Sequence, residues 1–318
     1  MDYSVVIPVY CEAESVEELC NRIFKVFEAM GGKNCFEIIF VDDGSTDSSR
    51  IVLRRLRNER PYVRTVIFRK NVGKTIALLA GFLNSKGDLV ITIDGDLQDN
   101  PEDIPMMVKK IGEGYDLVSG WKHRRKDNLI RVIGSKIFNW TVSLLGGLKL
   151  HDVNCGFKIY KAKVIKNISI YGQYHRFAPL LAHFMGFKVA EVKVSHNKRK
   201  HGSSKYPVIR YEGFFDLLSI LFAYRYKFSP LYFFGMLGCV FMTISMVIIL
   251  LIAYGHALFV LGLGEDCIAK TRLVLPMAIA GLLSGINIFL IGFVCDFILH
   301  HTAKSEVIDL IESIVEEQ

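Results

Sequence analysis

The stretch Leu89-Val90-Ile91-Thr92-Ile93-Asp94-Gly95-Asp96-Leu97-Gln98-Asp99 passes from an almost continuous apolar run into carboxylates. A run of branched residues of this kind indicates a strand buried on both faces of a sheet. Asp94 and Asp96 follow at its carboxyl end, where open α/β sheets bind their ligands, and Gly95 permits a ligand to approach closely. Two carboxylates on one face of an extended backbone suit Mg²⁺ or Mn²⁺ held jointly with a phosphate, although a turn with solvated acids fits the same residues.

The residues around this stretch repeat its pattern of strand, polar turn and helix. Strands are predicted over residues 5–10, 36–41, 63–68, 89–93, 115–120 and 189–194. Apolar residues at helical spacing predict helices over 15–30, after Thr46, over 71–84, from Pro101 and over 128–145. Alternation at these lengths is typical of βαβ units, so we expect an α/β domain with a mostly parallel sheet.

Two apolar segments near the end of the chain predict membrane spans. Hydrophobic residues make up 51% of the 318 residues, and the mean hydropathy of +0.31 is high for a soluble protein. Residues 231–254 and 273–299 are each long enough to cross a hydrocarbon core of about 30 Å. Between these spans and the α/β domain, residues 207–228 mix aromatic and charged side chains, which favours helices lying in the membrane interface.

The placement of charge predicts the topology. The net charge is +7, and seven Lys and Arg residues lie between Lys198 and Lys227, directly before the first span. The positive-inside rule therefore places residues 1–230 and the C-terminus in the cytoplasm. Nucleic-acid binding is the alternative interpretation of this basic cluster. We discount it because basic residues next to a span attract anionic lipid head groups.

These segments divide the chain into four parts: the α/β domain over 1–206, interfacial helices over 207–228, two transmembrane helices within 229–300, and a cytosolic helix over 301–318. No targeting segment is expected before the first strand. The seven cysteines form no Cys-x-x-Cys pair, which favours reduced thiols in the cytosol over a disulfide framework or a zinc site. We expect an integral protein of a bacterial plasma membrane.

The motifs together resemble one enzyme family. Val41-Asp42-Asp43-Gly44-Ser45-x-Asp47 and Asp94-Gly95-Asp96-Leu97-Gln98-Asp99-x-Pro101-Glu102 resemble the family 2 glycosyltransferases of GT-A fold. Asn71-x-Gly73-Lys74, Asp152-x-x-Cys155-Gly156-Phe157-Lys158 and Arg199-x-x-Gly202-x-Ser204-Lys205-Tyr206, ahead of two spans, resemble the polyprenyl-phosphate glycosyltransferases. Within these the chain is most similar to bactoprenol glucosyltransferases and more distantly to dolichol-phosphate mannose synthases. Cys11 departs from the family, which usually has asparagine there.

The resemblance implies a role for each site residue. The nucleotide pocket comprises Pro8, Tyr10, Glu12, Asp42, Lys74 and Asp94. Asp96 and Gln98, with Asp94, hold Mg²⁺ or Mn²⁺ against the diphosphate, where the metal neutralises the leaving group. The acceptor phosphate is bound by Arg131 and Ser135, four apart on one helix, with Arg199, Lys205 and Arg124 as further cations. Asp152 orients the sugar or acceptor, or is a structural turn acid.

The implied reaction is inverting transfer of one sugar from a nucleotide donor to a polyprenyl (undecaprenyl) phosphate at the cytoplasmic membrane face. UDP-glucose is the expected donor, with GDP-mannose and UDP-linked amino sugars as alternatives. Gln173-Tyr174-His175-Arg176-Phe177 resembles a motif of processive polysaccharide synthases, but two spans cannot enclose a polymer channel. A non-catalytic membrane scaffold is the other alternative. Gly281-x-x-x-Gly285 suits homo-oligomerisation or packing between the two spans, and a flippase is an expected downstream partner.

Overall fold

The computed structural model describes residues 1–31, 35–122, 129–168, 170, 172–197, 212–226, 229–263 and 271–315. At 129–137, 212, 214, 225 and 299–315 the description covers the backbone alone. The chain forms two compact units, Met1–Ile220 and Leu221–Gln318.

The first unit is built on a seven-stranded mixed sheet. Its strands are β1 (Tyr3–Val9), β2 (Phe36–Asp42), β3 (Val63–Ile67), β4 (Leu89–Thr92), β5 (Leu117–Lys122), β6 (Lys158–Lys161) and β7 (Val189–Val194). They lie in the order β3-β2-β1-β4-β6-β5-β7. All neighbouring pairs are parallel except those of β6, which runs antiparallel to both β4 and β5. The predicted parallel sheet is confirmed in its main part, whereas β6 was not predicted.

Helices cover the sheet of the first unit. They are α1 (Val16–Ala29), α2 (Ser49–Glu59), α3 (Lys74–Asn84), α4 (Ile104–Gly112), α5 (Leu129–Gly146), α6 (Ala162–Asn167), α7 (Ala178–Phe184) and α8 (Glu212–Ile220). Short 3₁₀ helices precede α4, at Pro101–Asp103, and α7, at Tyr174–Phe177. Helix α3 begins at Lys74 rather than at the predicted Asn71, because Gly73 has a φ of 100° outside the helical region.

Burial of apolar side chains positions the strands that carry the acidic turns. Every residue of β2, including the terminal Asp42, is buried. One continuous cluster joins the apolar residues of β1, β2 and β4 to those of α1, α2 and α4. Since each buried aliphatic or aromatic side chain contributes about 1.5–3 kcal/mol, this cluster fixes the strand register that the site depends on.

The second unit contains a π-helical turn (Leu221–Arg225) and two long helices, α9 (Pro230–Val260) and α10 (Val274–Val315). Segments Pro230–Val260 and Val274–Ile298 are long and apolar enough to cross a membrane, with mean hydropathies of 2.7 and 2.2. The cytosolic helix predicted over 301–318 is continuous with the second of them as far as Val315.

Glycines bring α9 and α10 into close contact. A Cβ atom on Gly238 would lie 2.7 Å from the Gly285 carbonyl oxygen, and one on Gly285 would lie 2.9 Å from the Gly238 carbonyl oxygen. A Cβ atom on Gly281 would meet the Ser245 hydroxyl at 2.5 Å. Both glycines of the Gly281-x-x-x-Gly285 motif therefore serve packing between the two helices of one chain. Homo-oligomerisation stays a prediction that these residues no longer favour.

Candidate active site

The register of β1 with its two neighbours brings the acidic turns to one edge of the sheet. Val9, the last residue of β1, lies beside Asp42, the last residue of β2. On the other side Val6 lies beside Thr92, the last residue of β4. Asp94 follows Thr92 by two residues. The carboxyl ends of three adjacent parallel strands thus present Asp42 and Asp94 at the predicted ligand-binding edge.

The Asp94 carboxylate forms an ion pair with a lysine of helix α3. The Lys74 ammonium, at the first turn of α3, lies 2.5 Å from Asp94 Oδ1, and the Asp94 side chain is 30% exposed. Gly156 lies against the same carboxylate, since a Cβ atom there would be 2.8 Å from both of its oxygens. Burial opposes ionisation of Asp94, but the charges of Lys74 and Lys122 outweigh it and hold its pKa at about 2. Asp94 is therefore a carboxylate at neutral pH.

Asp96 and Gln98 form a tight turn just beyond Asp94. The Gln98 backbone N–H donates to Asp96 Oδ1 at 3.2 Å, and Asp96 is 9% exposed. Leu97, between them, has a φ of 61°, a conformation that branched and bulky residues rarely adopt. Strained backbone of this kind concentrates at functional sites. The turn holds the Gln98 backbone beside the Asp96 carboxylate, and the role of Asp94, Asp96 and Gln98 as metal ligands stays a prediction.

The residues that follow fix this turn from several sides. Asp99 is fully buried, and its Oδ1 lies 2.7 Å from the Lys122 ammonium at the end of β5. Arg22 of α1 donates to the Asn100 side chain and, at 2.6 Å, to Glu102. Sequence reasoning gave Asp99, Lys122 and Arg22 no role, because their partners are distant in the chain.

The turn after β2 is closed by hydrogen bonds to its own carboxylates. Asp42 accepts the Ser45 backbone N–H at 2.9 Å and the Arg50 guanidinium at 2.8 Å. Asp43 accepts the backbone N–H groups of Val72 and Gly73, at 2.8 and 2.9 Å. Burial raises the pKa of Asp43 and these two hydrogen bonds oppose the rise. Asp43, which sequence reasoning overlooked, ties the approach to Lys74 onto the end of β2.

The predicted nucleotide residues of β1 lie beside this turn. Pro8 is the penultimate residue of β1, and Tyr10, just beyond it, is 36% exposed. The Cys11 backbone N–H donates to Ser45 Oγ at 2.9 Å, and that of Glu12 donates to Ser49 Oγ at 3.0 Å. The segment that carries Pro8, Tyr10 and Glu12 is therefore bonded to the segment that follows Asp42, and the role of these residues in nucleotide binding stays a prediction.

Asp152 lies in a turn that β7 holds in place. It is 2% exposed, and its backbone N–H donates to Glu191 Oε1 at 2.8 Å. The His151 backbone and ring also contact Glu191, and the ring stacks on Trp121 with centroids 4.0 Å apart. Glu191 was not predicted, because an acid within an alternating strand carries no signal of its own.

His175 and its neighbours approach Lys74 through the base of α3. Thr75 Oγ1 lies 2.7 Å from His175 Nδ1 and donates to the Gly172 carbonyl oxygen at 2.6 Å. Burial, together with the positive charges of Lys74 and Arg176, lowers the pKa of His175 well below its ordinary value. His175 is thus a neutral imidazole next to the residue that binds Asp94.

Of the predicted acceptor residues, Arg131 and Ser135 lie on α5, where the backbone alone is described. Arg124, Arg199 and Lys205 lie outside the described residues. The acceptor-binding role of all five stays a prediction.

A divalent metal fits the Asp96 turn only with help from its substrate. Across the part of the chain that the structure describes, no group of three or more His, Cys, Asp and Glu side chains is arranged to hold a metal by itself. Mg²⁺ is commonly bound through one or two carboxylates together with substrate phosphates. The oxygen donors of Asp94, Asp96 and Gln98 match that mode, so the donor set fits.

Comparison with known proteins identifies the class. Residues 4–169 match the family described as Glycosyl transferase family 2. The structure resembles glucosyl-3-phosphoglycerate synthase from Mycobacterium tuberculosis, solved with Mn²⁺, uridine diphosphate and glucosyl-3-phosphoglycerate, with a TM-score of 0.52 at 20% identity over 71% of this chain and 79% of that chain. The fold is therefore GT-A-like, as the sequence predicted. The chain belongs to the family 2 glycosyltransferases and is a glycosyltransferase.

Curated relatives narrow the comparison. The chain is 36% identical to dodecaprenyl-phosphate galacturonate synthase of Rhizobium johnstonii, over 94% of this chain and 88% of the relative. It is 35% identical to undecaprenyl-phosphate 4-deoxy-4-formamido-L-arabinose transferase of Pseudomonas paraeruginosa, over 80% of this chain and 75% of the relative. These similarities confirm the predicted resemblance to polyprenyl-phosphate glycosyltransferases. They do not single out glucose.

Proposed function

We propose that this protein transfers one sugar from a nucleotide donor to a polyprenyl phosphate at the cytoplasmic face of a membrane, with inversion at the anomeric carbon. The observation that carries the proposal is the convergence of Asp42, Lys74, Asp94 and Asp96 at one sheet edge, in a chain with two apolar helices. Relatives named for transfer to dodecaprenyl and undecaprenyl phosphate support the acceptor.

The chemistry of the acceptor explains why no dedicated base is required. A phosphate monoester has a second pKa of roughly 6, so a polyprenyl phosphate is largely a dianion at neutral pH. The site must hold this anion beside the sugar, which is the role we assign to Arg131, Ser135, Arg199, Lys205 and Arg124. A single displacement without an enzyme nucleophile inverts the anomeric centre.

The donor side of the site follows from the turns already described. We assign nucleotide binding to Pro8, Tyr10, Glu12 and Asp42, together with Lys74 and its partner Asp94. Asp96 and Gln98, with Asp94, would hold Mg²⁺ or Mn²⁺ against the diphosphate. The metal supplies charge neutralisation of the leaving nucleoside diphosphate.

For the sugar we propose a UDP-linked donor. UDP-glucose is the donor predicted from the sequence, and the names of the relatives add galacturonate and 4-deoxy-4-formamido-L-arabinose as sugars of the same reaction class. GDP-mannose and UDP-linked amino sugars are the remaining alternatives. The second unit would anchor the protein in the membrane with the catalytic unit and both termini in the cytoplasm, and a flippase would carry the product across.

The test is sugar transfer by the purified full chain in detergent, with undecaprenyl phosphate and Mn²⁺ or Mg²⁺. UDP-glucose, UDP-galacturonate, UDP-4-deoxy-4-formamido-L-arabinose, UDP-N-acetylglucosamine and GDP-mannose are supplied in parallel. We expect one monoglycosylated lipid, lost on addition of EDTA, with inverted anomeric configuration by NMR. Absence of product with every donor from a well-folded protein would favour the scaffold, and a growing polymer would favour the processive synthase.

A further inference from the structure

Lys158 is a buried lysine at the edge of the sheet where the site lies. It is the first residue of β6, placed in register between Thr92 of β4 and Ser119 of β5. Because β6 runs antiparallel to both strands, its first residue lies beside the carboxyl end of β4. That end is Thr92, which precedes Asp94 by two residues. Lys158 is 2% exposed.

The contacts of Lys158 lead directly to Asp94. Its ammonium donates to the Cys155 carbonyl oxygen, and Thr92 Oγ1 donates at 2.8 Å to the next carbonyl oxygen, that of Gly156. Two side chains from adjacent strands thus hold consecutive peptide groups. Gly156 in turn lies against the Asp94 carboxylate, so closely that a Cβ atom would be 2.8 Å from each oxygen. The turn forms a wall for the carboxylate that Lys74 binds.

Burial of this ammonium costs stability. The Lys158 ammonium has three N–H donors, and among the residues that the structure describes its hydrogen-bond acceptor is the Cys155 carbonyl oxygen. Burial, and to a lesser extent the charge of Lys74, lowers the pKa of Lys158 to about 8, against the opposing effects of Cys155, Asp152 and Asp94. A buried, poorly satisfied amine is less favourable than an apolar side chain of similar length. A costly residue beside a reactive centre indicates a role in function.

We propose that Lys158 is a positioning residue for sugar transfer: with Thr92 it fixes the Cys155–Gly156 turn against Asp94, and thereby fixes the carboxylate that Lys74 binds. This inference rests on the proposed function. The family resemblance implied no role for the individual residues of Cys155-Gly156-Phe157-Lys158, and the proposal gives this motif one. The lysine acts through the turn and the carboxylate, and it contacts no substrate in this scheme.

The experiment compares Lys158→Met with Lys161→Met as a matched control. Lys161 ends the same strand, and its ammonium pairs with Asp116 at 3.1 Å, at the opposite edge of the sheet. For Lys158→Met we expect kcat to fall about 10- to 100-fold, because small misplacements of reacting groups cost that much. We expect its Tm to stay level or rise, so that the loss of kcat is not a loss of folded protein. For Lys161→Met we expect wild-type kcat.

Two further variants act on the same turn from other sides. Thr92→Val removes the second hydrogen bond, together with the hydrogen bond between Thr92 and the Tyr160 side chain, at nearly constant volume, and Gly156→Ala places a methyl group against the Asp94 carboxylate. We expect both to lower kcat, and Lys158→Arg, which keeps the charge and the donors, to recover part of the loss.

Wild-type kcat in Lys158→Met overturns the inference, as does a loss of kcat that merely follows a lower Tm. If Lys158→Met does not fold, unchanged kcat in Thr92→Val overturns it instead. Failure of the proposed function is distinguishable, because wild-type protein then transfers no sugar from any donor.

Discussion

Two acidic turns at the same sheet edge have similar sequences but are built differently. In the turn after β2, Asp43 accepts two hydrogen bonds from the backbone of residues 72–73, and Asp42 accepts one from the backbone of Ser45 and one from the Arg50 guanidinium. In the turn after β4, Asp94 is held by a lysine side chain, and Leu97 is in a strained conformation. Backbone donors belong to the fold, whereas a lysine side chain can change partner. The first turn, held mainly by backbone donors, is therefore the preformed turn, and the second, whose Asp94 is bound by the Lys74 side chain, is the charge-responsive turn.

Replacing Asp96 tests the charge-responsive turn most severely. Asp96→Ala removes a carboxylate that would hold the metal against the diphosphate, so we expect kcat to fall by about 10³-fold or more. Its Tm should fall only modestly, because the Gln98 backbone N–H loses its acceptor while no apolar contact is lost. Steady-state transfer assays and thermal unfolding measure the two effects. Asp47→Ala, in the other turn, is the control and should keep kcat within a few-fold of wild type.

Lys74 and Asp94 should behave as one unit. We expect Asp94→Asn and Lys74→Met each to lower kcat/KM by about 10²-fold, since each leaves its partner uncompensated. The double variant should lose far less than the product of the two single losses, because the second change then removes a group that no longer has a partner. A double-mutant cycle on kcat/KM measures this coupling. Strictly multiplicative losses would show that the two residues act separately.

Asp43 tests the preformed turn. Asp43 accepts the backbone N–H groups of Val72 and Gly73 on separate oxygens, and an asparagine keeps only one of these oxygens, so Asp43→Asn leaves one part-buried donor without its acceptor. We expect a loss of about 1–3 kcal/mol in the free energy of unfolding and a higher KM for the donor, with kcat largely kept. Denaturant unfolding measures the loss of stability, and transfer assays at varied concentrations of the nucleotide-sugar donor measure KM and kcat. A loss of kcat as large as that of Asp96→Ala, at unchanged stability, would contradict the distinction between the turns.

The parts of this architecture that sequence predicts are those that depend on local pattern. The apolar run before Asp94 and the spacing of Asp94, Asp96 and Gln98 correctly indicate a buried strand that ends in a polar turn. Lys74 was placed in the site by resemblance to a family motif. Its ion pair with Asp94, twenty residues away, is a tertiary contact.

What the sequence does not reveal depends on long-range contacts and backbone conformation. Strand β6 has four residues, two of them lysines. This is too short for an alternation of apolar and polar residues to be recognised in the sequence. Glu191 reaches the Asp152 backbone across thirty-nine residues, and Lys122 meets Asp99 across the sheet. The left-handed conformation of Leu97 also carries no compositional signal, because leucine is a residue that normally avoids it.

The substitution with the smallest expected effect is at Cys11, where the sequence departs from the asparagine usual in the family. Cys11 has a φ of 52°, a left-handed conformation that asparagine tolerates better than cysteine does. Its side chain contacts Thr46 Oγ1 at 3.6 Å, a weak interaction to give up. We therefore expect Cys11→Asn to stabilise the protein by about 0.5–1 kcal/mol, with kcat unchanged, because the preformed turn gains rigidity without a new contact to substrate. Denaturant unfolding measures the gain, and Cys11→Ala, which loses the sulfur but keeps the strain, is the control. If Cys11→Asn is no more stable than Cys11→Ala, the strain at position 11 is not what the asparagine relieves, and the usual family residue must act on the nucleotide instead.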